Sequence, residues 1–213
     1  AVTTAKPLNH ESNSRQRQRE QTRKQILGAA AKMFAQAGYD AASLSEIASR
    51  AGVKKALVQY HFSTKDQLWK DAAQFTWAER NEYMAEHLSG QSDHSAMDKM
   101  RRGFTALVEF TRENPNWLWF MFHEAAAGSD RLDWLIEHCM RNDYVLGEDF
   151  VRQFQARGLI RQGPPIHLLH LISGALTYNL LVAPVTDAAT GIDLATDRAI
   201  DQQVDVLLAM LSP

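Results

Sequence analysis

The stretch "SLSEIASRAGVKKALVQYHF", residues 43–62, restricts the folds open to this chain more than any other feature. Ser43 followed three residues later by Glu46 is a capping box, in which each residue satisfies an amide at a helix start. Leu44, Ile47, Ala48 and Ala51 then share one helical face. Ala51-Gly52-Val53 forms a tight break, and a further helix is expected over 54–61. Upstream, Ile26, Ala30 and Phe34 recur every four residues, and Gly38 suits a left-handed stop. Three short helices, the last two joined by a glycine-containing turn, describe a helix-turn-helix. Val53, Val58 and Phe62 can lock the last helix against its neighbour. That leaves Lys54, Lys55, Gln59, Tyr60 and His61 outward, the cationic and hydrogen-bonding set that entry into a DNA groove requires.

The distribution of charge fits that reading. Residues 1–70 hold twelve Lys and Arg against five Asp and Glu, whereas 71–213 hold eleven against twenty. A basic head on an acidic body is expected where one part meets a polyanion and the other does not. The 213 residues fit one large domain or a small one joined to a larger one. Three segments are expected: a disordered basic arm over 1–18, a helix-turn-helix over 19–66, and a larger helical region over 67–213. The first residues are polar and lack the apolar core of a secretory leader. The most apolar late stretch, 168–185, carries His170, Ser173, Thr177, Tyr178 and Asn179 and is not read as membrane-spanning. The lone Cys139 excludes an intrachain disulfide and fits a reducing cytoplasm.

Beyond residue 63 the pattern remains helical. Thr64 and Gln67 form a second capping box, opening a long helix with Leu68, Ala72, Phe75 and Tyr83 inward. After "SGQSD" near Gly90, helices are expected over 96–113, 117–127, 131–157, from Pro165 to near Pro184, and 194–211. No strand-like alternation competes, so the fold class is all-α. "NWLWFMFHEAAAG" is apolar nearly all round and is expected to be buried. On a regular helix over 131–157, Leu132, Ile136, Cys139, Asp143, Leu146 and Phe150 share one face. Asp143 is then a carboxylate in an apolar stripe, either a structural ion pair or a polar anchor for a ligand. Ser173, Gly174 and Thr177 permit close helix approach, and Ile200, Val204, Leu207, Leu208 and Leu211 form a stripe expected to pair two copies.

The stretch "FAQAGYDAASLSEIASRAGVKKALVQYHFSTKDQLW", Phe34 to Trp69, resembles the DNA-binding unit of the TetR family of transcriptional regulators. The aromatic after "G", the small hydroxyl before the second helix, "IA", "AGV", the aromatic-rich helix ending in "HF", and "KDQL" all match. The resemblance implies that Lys55, Ala56, Leu57, Gln59, Tyr60 and His61 meet double-stranded DNA, and that Lys65 contacts phosphate. Ser43 and Ser45 open a helix whose amides and hydroxyls can hold a phosphate. Three departures stand out. Lys54 replaces a capping Ser, Leu57 a small hydroxyl residue, and Gln59 a backbone-contacting Tyr. Docking on DNA is implied to carry over, the base sequence read is not.

The resemblance further implies that the remaining helices bind an effector and dimerise. By position Phe104, Leu107, Trp119, His123, Cys139, Asp143 and Tyr178 would line the cavity, and the aromatic content points to a small, largely apolar effector. "HLLH" offers two imidazoles (His167 and His170) but no third ligand, so no metal and no other cofactor is expected. No phosphate loop, nucleophile elbow or zinc-protease motif occurs, so the chain is not expected to be an enzyme. The apolar surroundings of Cys139 argue against a redox sensor. The expected function is a cytoplasmic, homodimeric, ligand-responsive repressor that binds a palindromic operator. The alternative is a DNA-organising or scaffolding protein on the same fold without a small-molecule effector.

Overall fold

The structure is a computed structural model describing residues 9–89 and 95–213, the side chains of 9–13 excepted. It is all-α, with no strand among the described residues. The helices are α1 (Asn9–Ala41), α2 (Leu44–Arg50), α3 (Lys55–His61), α4 (Lys65–Leu88), α5 (Ala96–Glu113), α6 (Asn116–Ala127), α7 (Asp130–Leu135), α8 (Arg141–Ala156), α9 (Pro165–Thr190) and α10 (Asp197–Leu211). A π-helical turn, Ile136–Met140, joins α7 to α8. Part of the expected arm, residues 1–8, and most of the break near Gly90 lie outside the described residues. From Asn9 onward the chain is already helical, so residues 9–18 extend α1 where a disordered arm was expected. Arg and Gln are good helix formers, and Gln16 donates to Glu20 one turn on at 3.2 Å.

The chain clusters into two compact units, one of residues up to Thr76 with Asn116–Ser129, the other of Trp77–Pro115 with Asp130–Pro213. This differs from the division expected at 66/67, because two further segments complete the first unit. The start of α4 supplies Leu68, Trp69, Ala72 and Ala73, all nearly solvent-free. From α6, Phe120 lies 5.6 Å from Trp69 and 6.3 Å from Phe34, ring centre to ring centre. Such aromatic pairs add to the area they bury. The buried residues of α6 are Leu118, Phe120 and Glu124. Trp119 and Phe122 are exposed, so the expected all-round burial of this helix is corrected.

The second unit packs α5, α8, α9 and α10 around one core that includes Phe104, Val108, Val151, Phe154, Leu168, Ile172 and Leu176. Ile200, Val204, Leu207, Leu208 and Leu211 belong to that same core, at 0–8% exposure. They are not the external stripe expected from the sequence, because periodicity finds an apolar face without saying what covers it. The apolar residues left outside include Leu171, Tyr178 and Val185 on α9, seven apart, and Val206 and Met210 on α10, four apart. The helix expected to end near Pro184 continues to Thr190, where Gly191 adopts the left-handed cap (φ 73°). The π turn replaces the uninterrupted helix expected over 131–157. It brings Leu135 and Met140, five residues apart, into the interior, while Leu146 from the expected stripe is 59% exposed. Among the described residues one helix, α9, is long and apolar enough to cross a membrane by length and composition.

Candidate nucleic-acid interface

The recognition geometry begins with the cap on α2. Ser43 Oγ accepts from the Glu46 amide at 3.1 Å, and accepting leaves its hydroxyl hydrogen to donate outward. Glu46 does not return the box; its carboxylate pairs with Arg50, whose other arm reaches Gln36 of α1 at 2.6 Å. The helix ends in a Schellman arrangement. Val53 N–H donates to Ala48 carbonyl and Gly52 N–H to Ser49 carbonyl, at 3.0 and 3.1 Å. Gly52 carries φ 66°, a conformation other L residues adopt only at a cost. This turn redirects the chain into α3. Lys54 stands at the N-cap of α3 with no side-chain cap, as its departure from the family pattern implied.

Along α3, Val58 and Phe62 are 0% and 1% exposed. Fully burying each contributes about 2 kcal/mol, enough to fix the rotation of a helix of seven residues. Lys54, Lys55, Ala56, Leu57, Gln59 and Tyr60 are therefore exposed, and His61 half-buried. Ser45 is exposed beside the start of α2. Lys65 is more engaged than expected. Its Nζ donates to the Asp40 carbonyl at 3.2 Å and lies 4.6 Å from the centre of the Tyr39 ring.

Two side chains not singled out by sequence flank this face. Arg19 lies over the Tyr60 ring at 5.5 Å, and Arg23 over Phe62 at 5.1 Å. Arg23 also pairs with Asp71 of α4 at 2.5 Å. Burial, then the charges of Arg19 and Arg23, hold His61 below its usual pKa of 6.5. The four-residue spacing of the arginines was the available signal. His123 of α6 has a different position from the ligand-lining role assigned to it. Its Nε2 bonds the Ala35 carbonyl at 2.9 Å, and a side chain at Gly38 would meet its Nδ1 at 3.4 Å.

The other candidate effector contacts fall in several places. Trp119 is exposed on α6 in the first unit. In the second unit, Phe104 is core and Leu107 packs against that core. Asp143 accepts from Arg80 at 2.7 Å and from Trp77 Nε1 at 3.1 Å, which is the structural ion pair of the two readings. Cys139 is near this pair, half-buried; burial and then Asp143 push its thiol up to about 11, against a smaller opposing effect of Arg80. Tyr178 is 62% exposed. His167 and His170 are exposed, and no group of three or more metal-ligating side chains occurs among the described residues.

A capped helix, a glycine turn and a helix locked by Val58 and Phe62 beneath an exposed polar face define a helix-turn-helix unit. Residues 26–72 match the family described as bacterial regulatory proteins, tetR family. The chain is 47% identical over 51 residues to the HTH-type transcriptional activator FasR of Mycolicibacterium smegmatis, covering 24% of this chain and 23% of that one. It is 25% identical over 135 residues to a probable acrEF/envCD operon repressor of Escherichia coli, covering 62% and 54%. The chain thus spans about a quarter and about half of these two relatives. A TetR family transcription regulator from Marinobacter aquaeolei shares the fold, with a TM-score of 0.70 at 19% identity over 92% of this chain and 98% of that one. Residues 26–72 thus carry the similarity to the tetR family, and the fold is shared with a solved regulator of that family.

Proposed function

We propose that the protein is a ligand-responsive transcriptional regulator that binds a palindromic operator as a homodimer. The observation carrying this reading is α3, whose two buried anchors turn six exposed residues, Lys54 to Leu57 with Gln59 and Tyr60, toward a partner. Lys54 is a flexible cation suited to phosphate. Gln59 can pair with adenine N6 and N7, Leu57 can pack on a thymine methyl, and Lys55 can reach guanine. Ser43, Ser45, Tyr60 and His61 border the same face, and Lys65 contributes its charge from the start of α4. The longer of the two relative matches is to a protein named as a probable repressor, which supports repression as the sense of regulation. A DNA-binding role supports a cytoplasmic location.

The exposed apolar residues of α9 and α10 support the dimer. Leu171, Tyr178 and Val185 form one line, and Gly174 between them meets nothing within 4 Å, leaving room for a second helix. A second copy covering this line accounts for the apolar character of α9 without a membrane. The aromatic content of the helices after α4 supports a small, largely apolar effector held among them. A binding-site selection on variants at fixed salt tests the assignment of α3. Lys54→Ala should weaken all sequences alike. Gln59→Ala should cost about 1–3 kcal/mol on the best site and relax preference at one base pair. Uniform weakening by Gln59→Ala, with the preferred sequence unchanged, would make Gln59 a backbone contact.

A further inference from the structure

We propose that the N-terminal turns of α1, through Arg15 and Arg19, form a second cationic contact to the phosphate backbone of duplex DNA, beside the recognition helix. The proposal rests on the DNA-binding reading above but concerns residues outside the family match, which begins at residue 26. Residues 14–24 carry five Lys and Arg against one Glu. Arg15, Arg19 and Arg23 follow at four-residue intervals, so they line one side of α1.

Where that side lies is fixed at two points. Arg23 is clamped between the buried Phe62 ring and the Asp71 carboxylate, which ties α1 to α3 and α4. One turn earlier, Arg19 lies over Tyr60, itself 67% exposed on the face assigned to DNA. The guanidinium of Arg19 therefore sits at the edge of that face. Arg15 lies a further turn along, about 6 Å beyond, and is exposed. The Glu20 carboxylate in this stretch accepts from Gln16. Among the described residues neither Arg15 nor Arg19 forms an ion pair, so both retain charge for an anion. The depressed pKa of His61 is consistent with cationic charge held close to the end of α3. The partner that matches exposed guanidiniums continuous with a helix-turn-helix face is the phosphate row of the same duplex, since an Arg fork binds phosphate in two hydrogen bonds.

The test uses the full chain and a fluorescein-labelled 30-bp duplex of mixed sequence, with anisotropy titrations between 50 and 200 mM salt. Arg15→Gln should weaken binding roughly three- to tenfold at low salt and reduce the slope of log K against log salt by about 0.9, one phosphate's worth. Arg15→Gln/Arg19→Gln should reduce it by about twice that. Arg17→Gln, on the opposite side of α1, should change neither quantity by more than about twofold. If Arg15→Gln and the double variant keep the wild-type slope while Lys54→Ala lowers it, the α1 contact is refuted and the recognition-helix reading stands. If the wild type binds no duplex even at 50 mM salt, both readings fall together. Should Arg19→Gln perturb α3 through Tyr60, the exposed Arg15→Gln still decides the question by its slope.

Discussion

At the scale of single residues, the Arg80–Asp143 pair and its neighbour Cys139 have the clearest consequences. Arg80 is nearly buried, with a side chain 8% exposed, whereas the Asp143 side chain keeps 35%. Removing one partner of a fully buried pair costs about 3–5 kcal/mol by stranding the other charge. The partial exposure of Asp143 screens the pair and brings the expected loss for Asp143→Ala to about 2 kcal/mol. Urea unfolding measures it, and a loss below about 0.5 kcal/mol would show that the bonds Arg80 already makes to Asn81 are enough to satisfy it. Cys139 is pushed up from 9.0 to about 11. Each pH unit is a tenfold change in thiolate, so at pH 8 its thiolate fraction should be about a hundredfold below that of an ordinary thiol. Iodoacetamide labelling should be correspondingly slow and still accelerating at pH 10. A rate that levels off near pH 9 would contradict the burial argument.

Helices and turns were legible to different degrees. The caps at Ser43 and Thr64, the break at Gly52 and the absence of a cap at Lys54 could all be read directly, because each depends on a few adjacent residues. Direction of burial was legible for Val58 and Phe62, where polar residues surround two apolar ones. It was not legible for Ile200 to Leu211, whose stripe is equally suited to a core or to a second chain. The π turn is not legible because its signature is a five-residue spacing between Leu135 and Met140 inside a pattern of period 3.6. His123 reads as a ligand contact in the sequence because nothing local reveals its bond to Ala35, 88 residues away. That contact distinguishes two glycines. Gly38 (φ 75°, ψ 176°) occupies a region nearly confined to glycine, and a Cβ there would just touch the His123 ring, its nearest atom 3.4 Å away. Gly52 (φ 66°) has open space around it. Gly38→Ala should destabilise by about 2–3 kcal/mol, and Gly52→Ala by about 1 kcal/mol. Equal shifts in thermal unfolding would contradict the greater backbone strain argued for Gly38.

For the whole molecule the decisive feature is an apolar line that one chain leaves uncovered. Leu171, Tyr178 and Val185 on α9, with Val206 and Met210 on α10, are each more than half exposed. Light scattering at micromolar concentration should report a dimer, and Leu171→Glu with Tyr178→Glu should shift it to a monomer that remains folded. Val204→Glu, by contrast, places a charge in the core and should unfold the chain. A dimer that survives the α9 substitutions would place the pairing surface elsewhere. The dimer and α3 together constitute the central claim, that two recognition helices read two related half-sites. The most direct measurement is a binding-site selection with the wild-type protein, followed by stoichiometry on the selected duplex. The expected result is an inverted repeat with half-sites about one helical turn (10 bp) or a multiple apart, occupied by two protomers or a multiple of two. A selected pool with no dyad symmetry, or saturation by a single protomer, would contradict it.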